Sequence, residues 1–207
     1  MEKLILIGAG GHAKSIIDSI DTNKYELVGF IDQSSEEKSC MELPIIAHDL
    51  EELENKEDYT YFVAIGNNEI RKNWYNKLKE NNLKVATIID KTAIIAKTAV
   101  VGEGTFVGKL AIINSEAVVG NNTIVNTKAL IEHCCKVGSH VHISTNSVLN
   151  GDVEVGEGTF VGSSSVIIPQ HKIGKWATVG AGAAVIHDVD DYTTVVGVPA
   201  KPLIKEK

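Results

Sequence analysis

Aromatic side chains make up only 5% of this chain. Any core it builds must therefore be packed from aliphatic and small residues, which favours a repetitive, layered architecture. Positive charge is also short. Twenty Lys and Arg against 27 Asp and Glu leave a formal net charge of −7, so the clustered basic surface that binds nucleic acid is not expected. Phosphorylated metabolites stay open, because a helix N-terminus or one or two lysines can hold them. No apolar run approaches the roughly 20 residues that span a bilayer, and no membrane partner is expected. The start, MEKLILIGAGG, lacks the basic segment and long apolar stretch of a secretory signal. Three cysteines, with Cys134 and Cys135 adjacent, make no disulfide framework. A cytoplasmic location is the expectation.

What is present is ordinary for a soluble globular protein: 43% hydrophobic and 23% charged residues in 207, enough for one large domain or two small ones. The two halves of the chain follow different rules. Residues 1–87 alternate strand and helix signals. Lys3–Ile7 reads as a strand running into Gly8-Ala9-Gly10-Gly11-His12, and Ile16, Ile17 and Ile20 mark an amphipathic helix after it. Glu26–Ile31 reads as a second strand ending at Asp32, and Tyr61–Ile65 as another, ending at Gly66-Asn67-Asn68. Asp49 caps a short helix in this reading, and a helix is expected over Glu69–Asn81, with Trp74 and Leu78 four residues apart. Strand, helix, strand in this order implies a small parallel sheet with right-handed crossovers.

From Ile89 the period becomes six. Stepping by six from Ile89 to Val185 meets seventeen aliphatic residues without a slip, a run that ordinary composition would produce less than about once in a million trials. Four residues after each, the side chain is usually small, as at Ala93, Ala111, Ala129, Ser147 and Ala183. A hexapeptide repeat is the signature of a parallel β-helix. Three hexads form a coil, and coils stack at about 4.8 Å. The aliphatic column is expected to fill the prism, and the small residues to let the chain turn its corners. An unbroken run leaves no room for a long ejected loop. An acceptor must then use the smooth faces, a neighbouring subunit or the N-terminal domain.

The GAGGH start, the AIGNNEIRK segment, the hexad array, the IEH motif and the VVGVPAKP end together resemble the hexapeptide-repeat sugar acetyltransferases, typified by sialic acid O-acetyltransferases and bacillosamine N-acetyltransferases. The resemblance covers essentially the whole chain. It implies a Rossmann-like domain over 1–87 and a left-handed β-helix over 88–207. It also implies a homotrimer, acetyl-CoA as donor and a nucleotide-linked or free amino sugar as acceptor, with no resident metal.

Acetyl transfer from a thioester needs a base for the attacking amine or hydroxyl and a donor for the developing oxyanion. His133, in Leu130-Ile131-Glu132-His133, lies two residues past a column aliphatic and so points away from the interior; an imidazole titrating near about 6.5 suits the task. The resemblance places the catalytic base at this position. An acid usually follows that His in the family, but here Cys134 stands there, leaving Glu132 as the local carboxylate. A Cys134 nucleophile would need a lowered pKa that its neighbours do not supply. The resemblance also places His142 and Asn126 near the acceptor, and leaves His140 at the surface or an interface. Gly151, 18 residues after His133, would clear space beside the base, and its N–H could meet the thioester oxygen.

Gly8-x-Gly10-Gly11 between strand and helix approximates a dinucleotide fingerprint, with Asp32 about twenty residues on. Some 85 residues provide only half of an NAD domain. In the resembling family this pocket holds the nucleotide sugar, matching Gly10, Gly11, His12, Asp32, Gly66 and Asn67 here. CoA would lie between two β-helices near the last coils, against Gly162, Gly180, Ala181 and Val198, with Lys201 on a phosphate. The expected function is N-acetylation of a nucleotide-linked amino sugar, UDP-linked by preference. The alternatives are O-acetylation of a sialic or related sugar, a zinc site built from His133, His140 and His142, and a non-catalytic scaffold.

Overall fold

The structure is a computed structural model that describes residues 1–34 and 36–203. The N-terminal part is a six-stranded sheet with two helices. Its elements are β1 (Glu2–Ile7), α1 (Gly11–Ile17), β2 (Tyr25–Ile31), β3 (Ser39–Cys40), β4 (Leu43–Ala47), β5 (Thr60–Val63), α2 (Asn68–Glu80) and β6 (Lys84–Val85). The sheet order is β3-β4-β2-β1-β5-β6, parallel except for the β3–β4 pair. The chain leaves β1 toward β2 on one side and returns as β5 on the other. This makes a switch point, and ligands of open α/β sheets bind outside the carboxyl ends of the strands there. The helix expected after Asp49 is a single 3₁₀ turn, Leu50–Glu52, with the Asp49 carboxylate accepting from the Leu50 N–H.

From Ile88 the chain coils. Seventeen two-residue strands run from β7 (Ile88–Ile89) to β23 (Ala184–Val185), and each column aliphatic is the second residue of its strand. Strands pair in parallel with those 18 residues on, as Phe106 with Ile124 and Val107 with Val125, so three sheets close a left-handed β-helix. Column residues from Val107 to Val185 are buried. Ile89 is 43% exposed, because no earlier coil covers it. After Val185 the register breaks: Thr194–Val196 joins the sheet of Thr178–Val179, and Lys201–Pro202 folds back on it antiparallel, closing that end.

The corners are not turned where the repeat suggests. The small residues four positions after each column aliphatic are buried beside the core. The left-handed backbone falls one residue earlier, every sixth position from Gly104 to Gly182, fourteen in all and eleven of them not glycine. An L-residue in that conformation costs about 1–2 kcal/mol. Interlayer bonds offset this: Lys128 N–H donates to Lys109 O at 2.9 Å and Cys134 N–H to Ser115 O at 3.0 Å.

Helix α2 joins the two parts by climbing one edge of the prism. Lys79 pairs with Glu103 at 2.8 Å, Arg71 bonds the Asn122 and His140 carbonyls, and Lys72 pairs with Glu157 at 2.6 Å. Asn68 Nδ2 donates to Gly158 O at 2.9 Å. A helix rises about 5.4 Å per turn and coils stack at about 4.8 Å, so residues a turn apart meet successive coils. On the other side, Leu4, Leu6, Ile16 and Phe30 share one core with Ile88, Phe106 and Ile124 of the β-helix.

Candidate functional site

Two features built from the expected site residues lie on different sides of the chain. The first is a cavity of about 350 Å³ at the carboxyl ends of β1, β2 and β5, lined by Gly10, Gly11, His12, Asp32, Gly66 and Trp74 among others. Its first loop is bare backbone on the open side: a Cβ added at Gly10 or Gly11 would meet no atom within 4 Å. Asp32 holds this loop in place, accepting from Ala9 N–H at 2.7 Å and from Ser34 N–H at 2.9 Å. Asn67 has a different task from its neighbours, since its side chain caps α2 by accepting from Ile70 N–H at 3.0 Å.

The β-helix packs His142 against Gly66 of that lining. His142 is the outward residue of its strand, and the N-terminal part covers it, so it is buried. Its Nε2 lies 3.2 Å from Asn126 Nδ2 and its Nδ1 lies 3.4 Å from Gly66 O. Because the amide donates and the carbonyl accepts, the ring is neutral with its proton on Nδ1. The His12 ring stands 6.2 Å from it, centroid to centroid, and its buried Nε2 has no partner. Burial first, then the Arg71 charge, pushes His12 down to about 4 and His142 down to about 3. Both are neutral at physiological pH.

His140 lies in the seam between the two parts. Its Nδ1 accepts from Asn122 Nδ2 at 2.8 Å, its ring meets Tyr75 edge-on at 5.6 Å, and burial lowers it to about 4. The side chain that sequence reasoning missed here is Arg71. It is 1% exposed, and its five N–H groups reach five carbonyls: Ile65, Gly66, Asn122, His140 and Val141. A signal was available. Arg71, Trp74, Tyr75 and Leu78 are spaced as one helix face, the face that is buried.

The second feature is the edge that carries His133, two residues past the strand Leu130–Ile131. His142 and Asn126 follow a different sheet, so one chain does not bring His133 to the cavity. Gly151 lies against the His133 imidazole: a Cβ there would fall 2.5 Å from Cε1 and 2.6 Å from Nε2. The Glu132 carboxylate accepts from the His133 backbone N–H at 3.3 Å rather than from its ring. Partial desolvation and the carboxylates of Asp152 and Glu116 push the Cys134 thiol up, which opposes a thiolate. His133, His140 and His142 occupy two edges and a face of the prism, and among the described residues no three His, Cys, Asp or Glu are grouped to hold a metal.

Gly162, Gly180 and Ala181 follow the strands Phe160–Val161 and Thr178–Val179 and share an edge with Asn126. Coil packing alone demands a glycine at 162, where a Cβ would stand 2.6 Å from Ala181 N. Val198 is 76% exposed, and Lys201 is in the terminal antiparallel pair. A larger concavity, about 940 Å³ along the face of Lys136, Glu154 and Lys172, holds none of the expected site residues. No helix of the described residues is long and apolar enough to cross a membrane.

Residues 3–78 match the family described as PglD N-terminal domain. The chain is 33% identical to the acetyltransferase domain of PglB from Neisseria gonorrhoeae FA1090, solved in complex with acetyl coenzyme A, over 98% of this chain and 99% of that one, with a TM-score of 0.92. It is 31% identical to PerB from Caulobacter crescentus, solved in complex with CoA and GDP-perosamine, over 97% and 96%, with a TM-score of 0.88. WeeI from Acinetobacter baumannii AYE, at 22% identity over 97% and 99% with a TM-score of 0.87, shares the fold.

With these likenesses, a left-handed β-helix carrying a Rossmann-like half-domain places the chain among the acetyl-CoA-dependent acyltransferases. The chain belongs to the hexapeptide-repeat sugar acetyltransferase family.

Proposed function

We propose that this protein transfers the acetyl group of acetyl-CoA to the amino group of a nucleotide-linked sugar, with UDP as the first nucleotide to try, at a site completed between two subunits of a homotrimer. The observation that carries this reading is the placement of the two features. The cavity lined by His12 and Gly66 meets His142, and through it Asn126, at one edge, while His133 and Gly151 stand on the next edge. Between these edges runs a face whose outward residues are Ile94, Ile112, Leu130, Val148, Val166 and Ala184, one per coil and all apolar. Three such faces packed round a threefold axis would bury the stripe and set the His133 edge of one subunit against the Asn126 edge of the next.

In that groove Gly10, Gly11, His12, Asp32 and Gly66 hold the nucleotide and its diphosphate, and Asn126 and His142 orient the sugar. Gly162, Gly180, Ala181 and Val198 flank CoA, with Lys201 on a phosphate. The amine attacks the thioester carbonyl while His133 Nε2 takes its proton. The Gly151 N–H, which has no acceptor among the described residues, meets the oxyanion. Collapse of the tetrahedral intermediate expels the CoA thiolate, which regains the proton through His133.

The test is His133→Ala. Transfer to a UDP-amino sugar, followed by free thiol release, should fall about 10²–10⁴-fold with acetyl-CoA affinity unchanged. Turnover near wild type would remove His133 from the mechanism. The same assay with GDP- and dTDP-amino sugars and with a sialic acid identifies the acceptor class.

A further inference from the structure

Arg71 donates to the carbonyls of Ile65 at 3.2 Å and Gly66 at 3.1 Å in the cavity loop, and to Asn122, His140 and Val141 of the β-helix at 3.0, 2.8 and 3.1 Å. Among the described residues no carboxylate pairs with it, so there the buried cation is held by carbonyl dipoles. We propose that Arg71 is a positioning residue for the reaction. It fixes the cavity loop against the coil that carries His142, and it lends the cavity a positive charge that favours an anionic ligand such as a nucleoside diphosphate. The inference rests on the acceptor site proposed above.

The geometry supports this in three ways. Gly66 O receives Arg71 Nη1 and faces His142 Nδ1 at 3.4 Å, so one carbonyl of the cavity lining ties Arg71 to His142. The guanidinium uses each of its five N–H groups in a planar fork that a lysine ammonium, with three donors at one point, cannot reproduce. Asn122 Nδ2 donates back to Arg71 O at 3.2 Å, which fixes the helix as well as the side chain. A charge so placed also favours neutral His12 and His142, in keeping with their lowered pKa values.

Arg71→Lys keeps the charge and loses the fork; Arg71→Met loses both. Each full-length variant is assayed for kcat and KM toward the nucleotide amino sugar, for the Kd of UDP and GDP alone and of acetyl-CoA, and for amide hydrogen exchange without ligand. For Arg71→Lys, acceptor kcat/KM should fall at least tenfold, acetyl-CoA Kd should stay within twofold, and exchange should rise at residues 64–67 and 140–142 and not elsewhere. For Arg71→Met, the Kd of the nucleoside diphosphate should rise at least tenfold as well. If the Met variant fails to fold, the Lys variant decides. Acceptor kcat/KM within twofold of wild type in Arg71→Lys overturns the proposal, as does an equal loss of acetyl-CoA and acceptor affinity. A wild-type enzyme inactive on every nucleotide sugar would refute the acceptor reading instead. The exchange pattern then still decides whether Arg71 positions the loop, and unchanged exchange at 64–67 rejects it.

Discussion

Arg71 and Asn122 bond each other in both directions: Arg71 Nε donates to the Asn122 carbonyl at 3.0 Å, and Asn122 Nδ2 donates to the Arg71 carbonyl at 3.2 Å. The same amide donates to His140 Nδ1. One asparagine at a left-handed corner of the prism thus binds helix, side chain and imidazole together. The junction between the two parts of the chain is a hydrogen-bonded lattice as well as an apolar contact, and it holds Ile65 and Gly66 of the cavity lining against the coil of His140 and Val141.

Replacing Gly151 by alanine should displace the His133 imidazole, because the new Cβ would sit 2.5 Å from its Cε1. The Gly151 backbone lies outside the positive-φ positions, so alanine fits the main chain and the fold should hold. A displacement of about 1 Å at a reacting group can cost about 10²-fold. The expected result is kcat lower by one to two orders of magnitude with Tm within a few degrees of wild type. An unchanged kcat would show that the imidazole reaches its substrate from another rotamer.

Cys134→Ser should leave turnover within about threefold. The thiol is pushed up by desolvation and by Asp152 and Glu116, so little thiolate exists at neutral pH to act as nucleophile. Steady-state rates with and without iodoacetamide measure this. A loss beyond about 10²-fold in the serine variant would bring the thiol back into the mechanism.

Val148→Asp places a charge in the middle of the apolar face. Burying an unpaired carboxylate costs several kcal/mol, so the variant should sediment as a monomer while its far-UV circular dichroism stays that of the native fold. Transfer should be lost with the trimer, since His133 and the cavity would then belong to no common groove. A fully active monomer would refute the shared site.

Acid should destabilise the protein between about pH 6.5 and pH 4. His12, His140 and His142 stay neutral in the folded chain down to about 4, 4 and 3, whereas an unfolded His takes up its proton near about 6.5. In that window the unfolded state binds more protons, so stability rises with pH and falls on acidification, by up to about 1.4 kcal/mol per pH unit for each such His. Thermal unfolding at pH 7.5, 6.0 and 5.0 should show a steady drop in Tm, made shallower by His142→Gln. A flat profile down to pH 5 would mean that these imidazoles are not buried neutral.

The hexad register could be read from residue types because each coil repeats the same local environment, and a period of six leaves its mark wherever a side chain meets the core. The parallel sheet was legible for the same reason, through strands that end at Gly8, Asp32 and Gly66. Strands β3 and β6 were not, since two residues carry too little pattern, and in the five-residue β4 Pro44 argues against a strand. The corners misled for a different reason. The left-handed positions hold Leu110, Lys128, Trp176 and other residues of no common type, because interlayer hydrogen bonds impose that conformation and side-chain preference does not.

By itself, the sequence determined the β-helix, the nucleotide-type half-sheet and the residue types able to do the chemistry, all of which depend on local period or short motifs. Only the tertiary structure decided which of those residues meet. It gathered His12, His142, Asn126 and Gly66, set the edge of His133 apart from them, and drew Arg71 from a charged-looking helix into the centre of the junction. The contacts that gather the cavity residues join positions 16 to 130 apart, from Asn126 with His142 to His12 with His142. They follow from how the coils stack and how α2 matches their spacing, a relation that no single segment of the chain contains.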